Sequence, residues 1–346
     1  MADADVLKEF LGEVKTAIDA YILDFLPSEH SRDEVQCLYD MMRDYPQRSG
    51  KRLRPALCLL ICEAFGGNPK DAFNTAAALE VLQNWLLIHD DIEDGSDLRR
   101  GEPCLNQKYG IPLALNAGDA LHCRMWEMLH RNAEILGHEV AFQVLAEFTC
   151  LSNQVVEGQH IELSWVDNNR WNLTEDDYWT MCVQKTAWYT SIAPCRLGAI
   201  TARAAKTDVD HFIEIGRNLG VAFQIQDDVL NLIGEESQYG KEIAGDISEG
   251  KRTLVLIHLF NSCAHDEADR VVEIMAKNRS RKSLADINEV LSLMDKYQSI
   301  AYAQKRAKAL VEEACAQFAQ RFAHIPDNRA KNLFIPLVKF AVERDY

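Results

Sequence analysis

No stretch of the chain stays apolar over the ~18 residues that a membrane-crossing helix needs. The opening residues, Met1-Ala2-Asp3-Ala4-Asp5-Val6-Leu7-Lys8-Glu9, have neither the basic nor the apolar region of a signal peptide. A cytoplasmic protein with no stable membrane insertion is therefore expected. Positive charge is also scarce, since 37 Lys and Arg stand against 53 Asp and Glu, for a formal net charge of −16. Nucleic acid and anionic membranes would repel such a chain as a whole, and any phosphate site must be a local basic exception. No alternating strand pattern of any length and no short internal repeat is visible. The ten cysteines are scattered singly, and Cys58 and Cys62 are spaced as two residues on one helix face, which predicts reduced core thiols. The ten histidines form no HExxH, so no transition metal is assigned.

What remains is almost entirely helical in its periodicity. With 346 residues, 47% of them hydrophobic, the chain can bury one large core, and no composition shift favours a boundary. The expectation is a single all-α domain over residues 1–346, a large bundle of long helices around a central cavity. Leu7, Leu11, Val14, Ile18, Ile22 and Leu26 mark a first helix that Pro27 closes. Further helices are predicted over Asp33–Arg43, with Pro46–Gly50 as a loop, then over Leu53–Phe65 and from Asp71 through Trp85. Gly95–Pro112 reads as loop. Helices follow over Asn116–Leu136, Glu139–Trp165, Thr174–Arg203 (broken near Pro194) and Asp208–Asn231. A glycine-rich loop then leads to Lys251-Arg252-Thr253 and a helical remainder.

Two acidic groups end two of these helices. Leu86-Leu87-Ile88-His89-Asp90-Asp91-Ile92-Glu93-Asp94 is the first, and Phe223-Gln224-Ile225-Gln226-Asp227-Asp228 the second. At 100° per residue Asp90 and Asp94 share a helix face with Asp91 beside it. Like charges at that spacing oppose the helix by ~0.2–0.5 kcal/mol per pair, so a cation should offset them. Mg²⁺ suits the pattern, because it takes one or two carboxylates and fills its remaining positions with water and substrate phosphate oxygens. Basic residues cluster nearby: Lys51 and Arg54 at a helix start, Arg99 and Arg100 after the first acidic group, Lys185-Thr186 within a helix, and Lys241 and Lys251 after the second group.

In order along the chain, Gly50-Lys51-x-x-Arg54, Asp90-Asp91-x-x-Asp94, Arg99-Arg100-Gly101, Gly158-Gln159, Lys185-Thr186, Gln224-x-x-Asp227-Asp228 and Gly240-Lys241 to Gly250-Lys251 resemble the motifs of the trans-isoprenyl diphosphate synthases. This family includes the farnesyl and geranylgeranyl diphosphate synthases. The resemblance implies an all-α isoprenoid synthase fold, a homodimer, and condensation of isopentenyl diphosphate with an allylic diphosphate. Asp90, Asp91, Asp94, Asp227 and Asp228 would hold Mg²⁺, three ions with substrate bound. Arg99, Lys185 and Lys241 would meet the allylic diphosphate, while Lys51, Arg54 and Arg100 would form a metal-free pocket for isopentenyl diphosphate, with Gln83 and Lys251 also near substrate. Thr186 and Gln224 would offer weak negative dipoles to the carbocation.

The pattern departs from the family in places. Asn231 replaces a third aspartate, Gln83 a common histidine, and Glu162 the usual aspartate after Gly158-Gln159, which puts that carboxylate's role in doubt. Trp85, five residues before Asp90, is the only aromatic in its segment. An aromatic there usually accompanies geranylgeranyl products, with farnesyl as runner-up, and Leu86, Leu82 and Val81 would line the tail's path around it. The rival function is a class I terpene cyclase. It shares the fold and the first acidic group but has no use for a second basic pocket.

Overall fold

The computed structural model describes residues 2–48, 50–234 and 243–342. In chain order the helices are α1 (Ala2–Phe25), α2 (Asp33–Gln47), α3 (Leu53–Ala64) and α4 (Pro69–Glu93). A small hairpin, β1 (Leu98–Arg99) with β2 (Glu102–Pro103), precedes α5 (Leu105–Tyr109), α6 (Ile111–His130), α7 (Asn132–Leu136), α8 (His138–Asp167) and α9 (Glu175–Cys182). A π-helix over Val183–Ile192 leads into α10 (Ala193–Thr201) and α11 (Lys206–Ile233). The remaining α-helices are α12 (Gly245–Glu249), α13 (Leu254–Ser262), α14 (His265–Met275), α15 (Leu284–Lys296), α16 (Ser299–Arg321) and α17 (Arg329–Val342). The fold is all-α. Among the described residues no helix is long and apolar enough to cross a membrane.

The chain forms two compact units that alternate along the sequence. One comprises Met1–Leu151, Tyr189–Ile213 and Phe318–Val338, and the other Ser152–Trp188, Glu214–Gln317 and Lys339–Tyr346. In the first unit α4 is the central helix, in contact with α3, α6 and α10. Its Ala72, Ala76, Ala77, Ala78 and Leu79 are fully buried, and small side chains there let the neighbouring backbones approach from several sides. Asn68 caps its start by accepting from the Lys70 N–H, and Pro69 opens it. The predicted stripe of α1, Leu7 to Leu26, is buried throughout. Where α10 crosses α3, Gly198 is required, because a Cβ there would lie 3.0 Å from Ile61 Cβ and nearer still to the Cys58 carbonyl. Phe65, Phe212, Phe318, Phe322 and Phe334 form an aromatic cluster beside this core.

In the second unit α13 meets α9 and α15. Thr174 and Asp177 close a reciprocal capping box at the start of α9, and Thr253 caps α13 through the Leu256 N–H.

Three local expectations are corrected. Helix α2 continues through Pro46 to Gln47, held at that end by Arg52, whose Nη2 donates to the Pro46 carbonyl at 2.8 Å. The segment expected as plain loop folds into the hairpin and α5. The break expected near Pro194 is instead the π-helix just before it; Pro194 sits in the first turn of α10, where its missing N–H costs little.

Candidate active site

Helix α4 delivers the first acidic group at its last turn, with Asp90 and Asp91 inside the helix and Asp94 as its C-cap. The three carboxylates do not share an environment. Asp91 is fully buried, and its oxygens are taken by protein donors: Oδ2 accepts from the Tyr45 hydroxyl at 2.5 Å, and Oδ1 accepts from Arg99 Nε at 2.9 Å and from Arg99 Nη2. Asp90 and Asp94 stay partly exposed, and Arg99 Nη2 also reaches Asp90 Oδ2 at 3.2 Å. The three acids of the expected patch thus meet different surroundings. One step of 100° carries Asp91 into the packing against α2 and the hairpin, where ligating a metal would require it to give up two strong donors. Arg99, expected to meet substrate directly, is itself buried and engaged with Asp91 and Asp90. Burial opposes its charge, but these two carboxylates outweigh it and raise its pKa.

The hairpin turns on two residues of positive φ, Arg100 at 54° and Gly101 at 79°, between the paired Arg99 and Glu102. Such a turn matches the strand twist, but a non-glycine residue in it carries ~1–2 kcal/mol of strain. The Arg100 side chain is fixed by donating from Nη1 to the Tyr45 carbonyl at 3.1 Å.

A basic pocket is built beside it in the same unit. Gly50 is bare because a Cβ there would lie 3.3 Å from Arg100 Cζ and collide with the Arg52 guanidinium. Arg52, at φ 51°, is a scaffold whose Nε donates to Asp19 at 2.5 Å and whose Nη1 donates to Glu80 at 2.9 Å. Arg48 is another, with Nη1 on the Arg99 carbonyl and Nη2 on the Pro103 carbonyl, each at 2.8 Å. Lys51 is exposed, and Arg54 lies over the Tyr189 ring with Nη2 donating to Thr190 at 2.9 Å. Burial, with Arg52, Arg99 and Arg54 nearby, brings the Arg100 pKa down to about 10 in spite of Glu80. An anion would relieve that crowding of positive charge. Two buried polar atoms here, Arg54 Nε and Gln83 Oε1, have no hydrogen-bond partner, which also suits a site made for a polar ligand.

In the second unit the π-helix carries Lys185 and Thr186. Helix α8 approaches it at Gly158, where a Cβ would lie 2.7 Å from Lys185 Cα and Gln184 C and nearer still to the Lys185 nitrogen. Lys185 pairs with Glu162, giving that carboxylate a partner which the sequence had left in doubt. A hydrogen-bonded chain runs onward: Thr186 Oγ1 donates to Gln224 at 2.7 Å, Gln224 Nε2 donates to Asp228 Oδ1 at 2.7 Å, and Tyr178 donates to Asp228 Oδ2 at 2.7 Å. Asp228 is buried, which pushes its carboxyl up to about 7, whereas Asp227 is partly exposed. As with Asp91, protein donors hold both oxygens of Asp228. Asn231 accepts the Asp246 N–H at 3.1 Å and so closes the chain onto α12. Lys251 pairs with Glu249 at 2.9 Å. Lys241 lies outside the described residues.

Trp85 is buried against α6, where its ring stacks on His122 at 4.1 Å, and Trp126 donates to that histidine at 2.9 Å. Val81 and Leu82 are buried, and Leu86 is partly exposed. Tyr45, Arg48, Arg52, Glu80 and Tyr178 were missed by sequence reasoning. Arg48 and Arg52 flank the recognised Lys51, a usable signal, but nothing near Tyr45 or Tyr178 marks either as adjoining a carboxylate.

Among the described residues no three His, Cys, Asp or Glu side chains converge on one point. A metal here would draw on one or two hard carboxylate oxygens at a time and complete its shell from substrate and water. This is how Mg²⁺ is usually held, so Asp90, Asp94 and Asp227 fit it.

The polyprenyl synthetase family matches residues 35–294. A geranylgeranyl diphosphate synthase of Saccharolobus solfataricus is 34% identical over 341 residues, covering 99% of each chain. The crystal structure of a geranylgeranyl pyrophosphate synthetase from Pyrococcus horikoshii superposes with a TM-score of 0.84 at 32% identity, over 98% of this chain and 99% of that one. A polyprenyl synthase from Caulobacter crescentus, whose crystal structure is a complex with calcium and isoprenyl diphosphate, has a TM-score of 0.84 at 25% identity, over 98% and 97%.

Proposed function

The chain belongs to the polyprenyl synthetase family, and from that premise we propose how its residues carry out prenyl transfer. The enzyme joins isopentenyl diphosphate to an allylic diphosphate: the allylic C–O bond breaks, diphosphate leaves, the isopentenyl double bond forms the new C–C bond, and the departed diphosphate takes up the proton then lost. The product is a short all-trans prenyl diphosphate, geranylgeranyl first and farnesyl next.

The observation that carries this reading is the basic pocket. Lys51, Arg54 and Arg100 offer positive charge apart from the acidic residues, as a second diphosphate requires and a cyclase does not. Isopentenyl diphosphate binds there without metal, with Gln83 alongside. Asp90, Asp94 and Asp227 would hold three Mg²⁺ ions together with the allylic diphosphate, while Asp91 and Asp228 keep these carboxylates in place. When bound, the ions neutralise the departing diphosphate. Lys185 adds a fixed positive charge, and Lys241 and Lys251 belong to the same set. Thr186 donates its hydroxyl proton to Gln224, which leaves its oxygen lone pairs for the allylic cation. No protein nucleophile is needed.

The enzyme works in the cytoplasm as a homodimer. Support for a second copy comes from Ile111, Leu113 and Leu115 on α6 and from Phe142 on α8, which are 56%, 50%, 43% and 73% exposed. Large apolar side chains left exposed are available to an association surface.

Incubation with Mg²⁺, isopentenyl diphosphate and geranyl or farnesyl diphosphate should give an elongated prenyl diphosphate. Product from the allylic substrate alone, or none, would reject the reading.

A further inference from the structure

We propose that Tyr45 and Tyr178 are positioning residues for the two acidic motifs, each pinning a buried inner aspartate so that the neighbouring aspartate is presented to metal. The inference rests on the prenyl transfer reading above. The two tyrosines come from different helices, α2 and α9, and have no motif in common. Each is 1% exposed, and each hydroxyl ends on Oδ2 of the second aspartate of an acidic pair, Asp91 at 2.5 Å and Asp228 at 2.7 Å. Phenylalanine would fill either space as well. What a hydroxyl adds is one hydrogen bond to a buried carboxylate oxygen. Burial and the adjoining carboxylate raise both phenol pKa values, so each hydroxyl keeps its proton and remains a donor over the working pH range.

The consequence for the outer aspartates follows from the sharing of donors. Arg99 divides its guanidinium between Asp91 and Asp90, with Nη2 reaching both. While Tyr45 satisfies Asp91 Oδ2, Arg99 can stay in that shared position and keep Asp90 oriented. Without the hydroxyl, Asp91 Oδ2 is left with Arg99 Nε at 3.1 Å and the weakly donating Cys104 thiol. The guanidinium is drawn further onto it, which weakens the Arg99 contact to Asp90. In the second motif Asp228 is held by Tyr178 on one oxygen and by Gln224 on the other, one residue after Asp227. Loss of the Tyr178 hydroxyl leaves that buried oxygen short of a donor and loosens the turn of α11 that carries Asp227. Tyr45 also supports Arg100, but through its backbone carbonyl, which Tyr45→Phe preserves. The side-chain hydroxyl therefore acts on the metal motif and not on the basic pocket.

The test measures Mn²⁺ binding by electron paramagnetic resonance of the free ion, with a non-ionising allylic diphosphate analogue present. Parent, Tyr45→Phe and Tyr178→Phe are compared, together with metal-free binding of isopentenyl diphosphate by calorimetry. Each variant should bind Mn²⁺ about tenfold more weakly, the lower end of what a hydrogen bond to a charged group contributes. Isopentenyl diphosphate affinity should stay within twofold of the parent. A Mn²⁺ affinity within twofold of the parent overturns the assignment for that tyrosine. So does an equal loss of isopentenyl diphosphate binding, or a variant that does not fold, since either would make the hydroxyl merely structural. A parent that binds no Mn²⁺ with the analogue would instead reject the prenyl transfer reading itself.

Discussion

Gly158→Ala places one methyl group where α8 meets the π-helix. The added Cβ would lie 2.7 Å from Lys185 Cα and Gln184 C, and nearer still to the Lys185 nitrogen. Ordinary contact begins at ~3.4–4.0 Å, so the two backbones must separate by at least ~0.7–1.3 Å. Neither partner is a flexible side chain that could turn aside. Overpacking of this kind costs ~1–3 kcal/mol, less the ~0.5–1 kcal/mol that alanine gains over glycine inside a helix. At ~2.1 cal/mol/K per residue, 346 residues give an unfolding entropy of ~0.7 kcal/mol/K, so Tm should fall by no more than ~4 °C. Activity should respond far more. A displacement of ~1 Å at Lys185 and Thr186 corresponds to a kcat lower by ~10²-fold. Thermal melts alongside steady-state turnover at 25 °C measure both. A folded variant with kcat within threefold of the parent would refute the idea that this contact sets the position of Lys185 and Thr186.

Asp90→Ala or Asp227→Ala should lower kcat by orders of magnitude with helical content unchanged, and more than a tenth of the activity remaining would remove that residue from the metal set. Trp85→Ala, which vacates the stack on His122, should lengthen the main product by at least one isoprene unit; chromatography of the dephosphorylated alcohols reads this, and an unchanged length from an active variant would show that other residues limit the prenyl tail. Asp228 titrates at about 7 in the folded chain against 3.8 when unperturbed, so between those values the folded protein holds a proton that the unfolded chain has lost. Its contribution to stability therefore falls as pH rises through that window and levels off above it. Asp228→Asn should flatten the fall of the metal-free melting temperature between pH 4.5 and 7, and an unchanged slope would assign the effect to another group.

Much of the scaffold is readable in the residues. The α1 stripe and the paired acids on two helices follow from local pattern, because each depends on near neighbours in sequence. The division of labour within each acidic pair does not. Asp90 and Asp91 are alike on paper, and what separates them is a tyrosine 46 residues upstream and an arginine eight residues downstream. Asp227 and Asp228 part for the same reason, through Tyr178, 50 residues away. The hairpin was missed because its turn, Arg100-Gly101, places arginine where asparagine would have signalled positive φ. The π-helix was missed since its extra residue per turn leaves no mark in an apolar run, and Pro194 attracted the expected break instead. Glu162 was set aside as a departure from pattern, yet it is the partner of Lys185.

In the proposed mechanism one diphosphate binds through metal at the acidic residues and the other without metal at Lys51, Arg54 and Arg100. Calorimetric titration with and without EDTA tests it most directly. Isopentenyl diphosphate should bind equally in both conditions and lose roughly tenfold to a hundredfold in affinity in Arg54→Ala, the range for a charged hydrogen bond to phosphate. A non-ionising allylic diphosphate analogue should bind only when Mg²⁺ is present. Loss of both ligands on adding EDTA, or an Arg54→Ala variant that binds isopentenyl diphosphate as the parent does, would contradict the account.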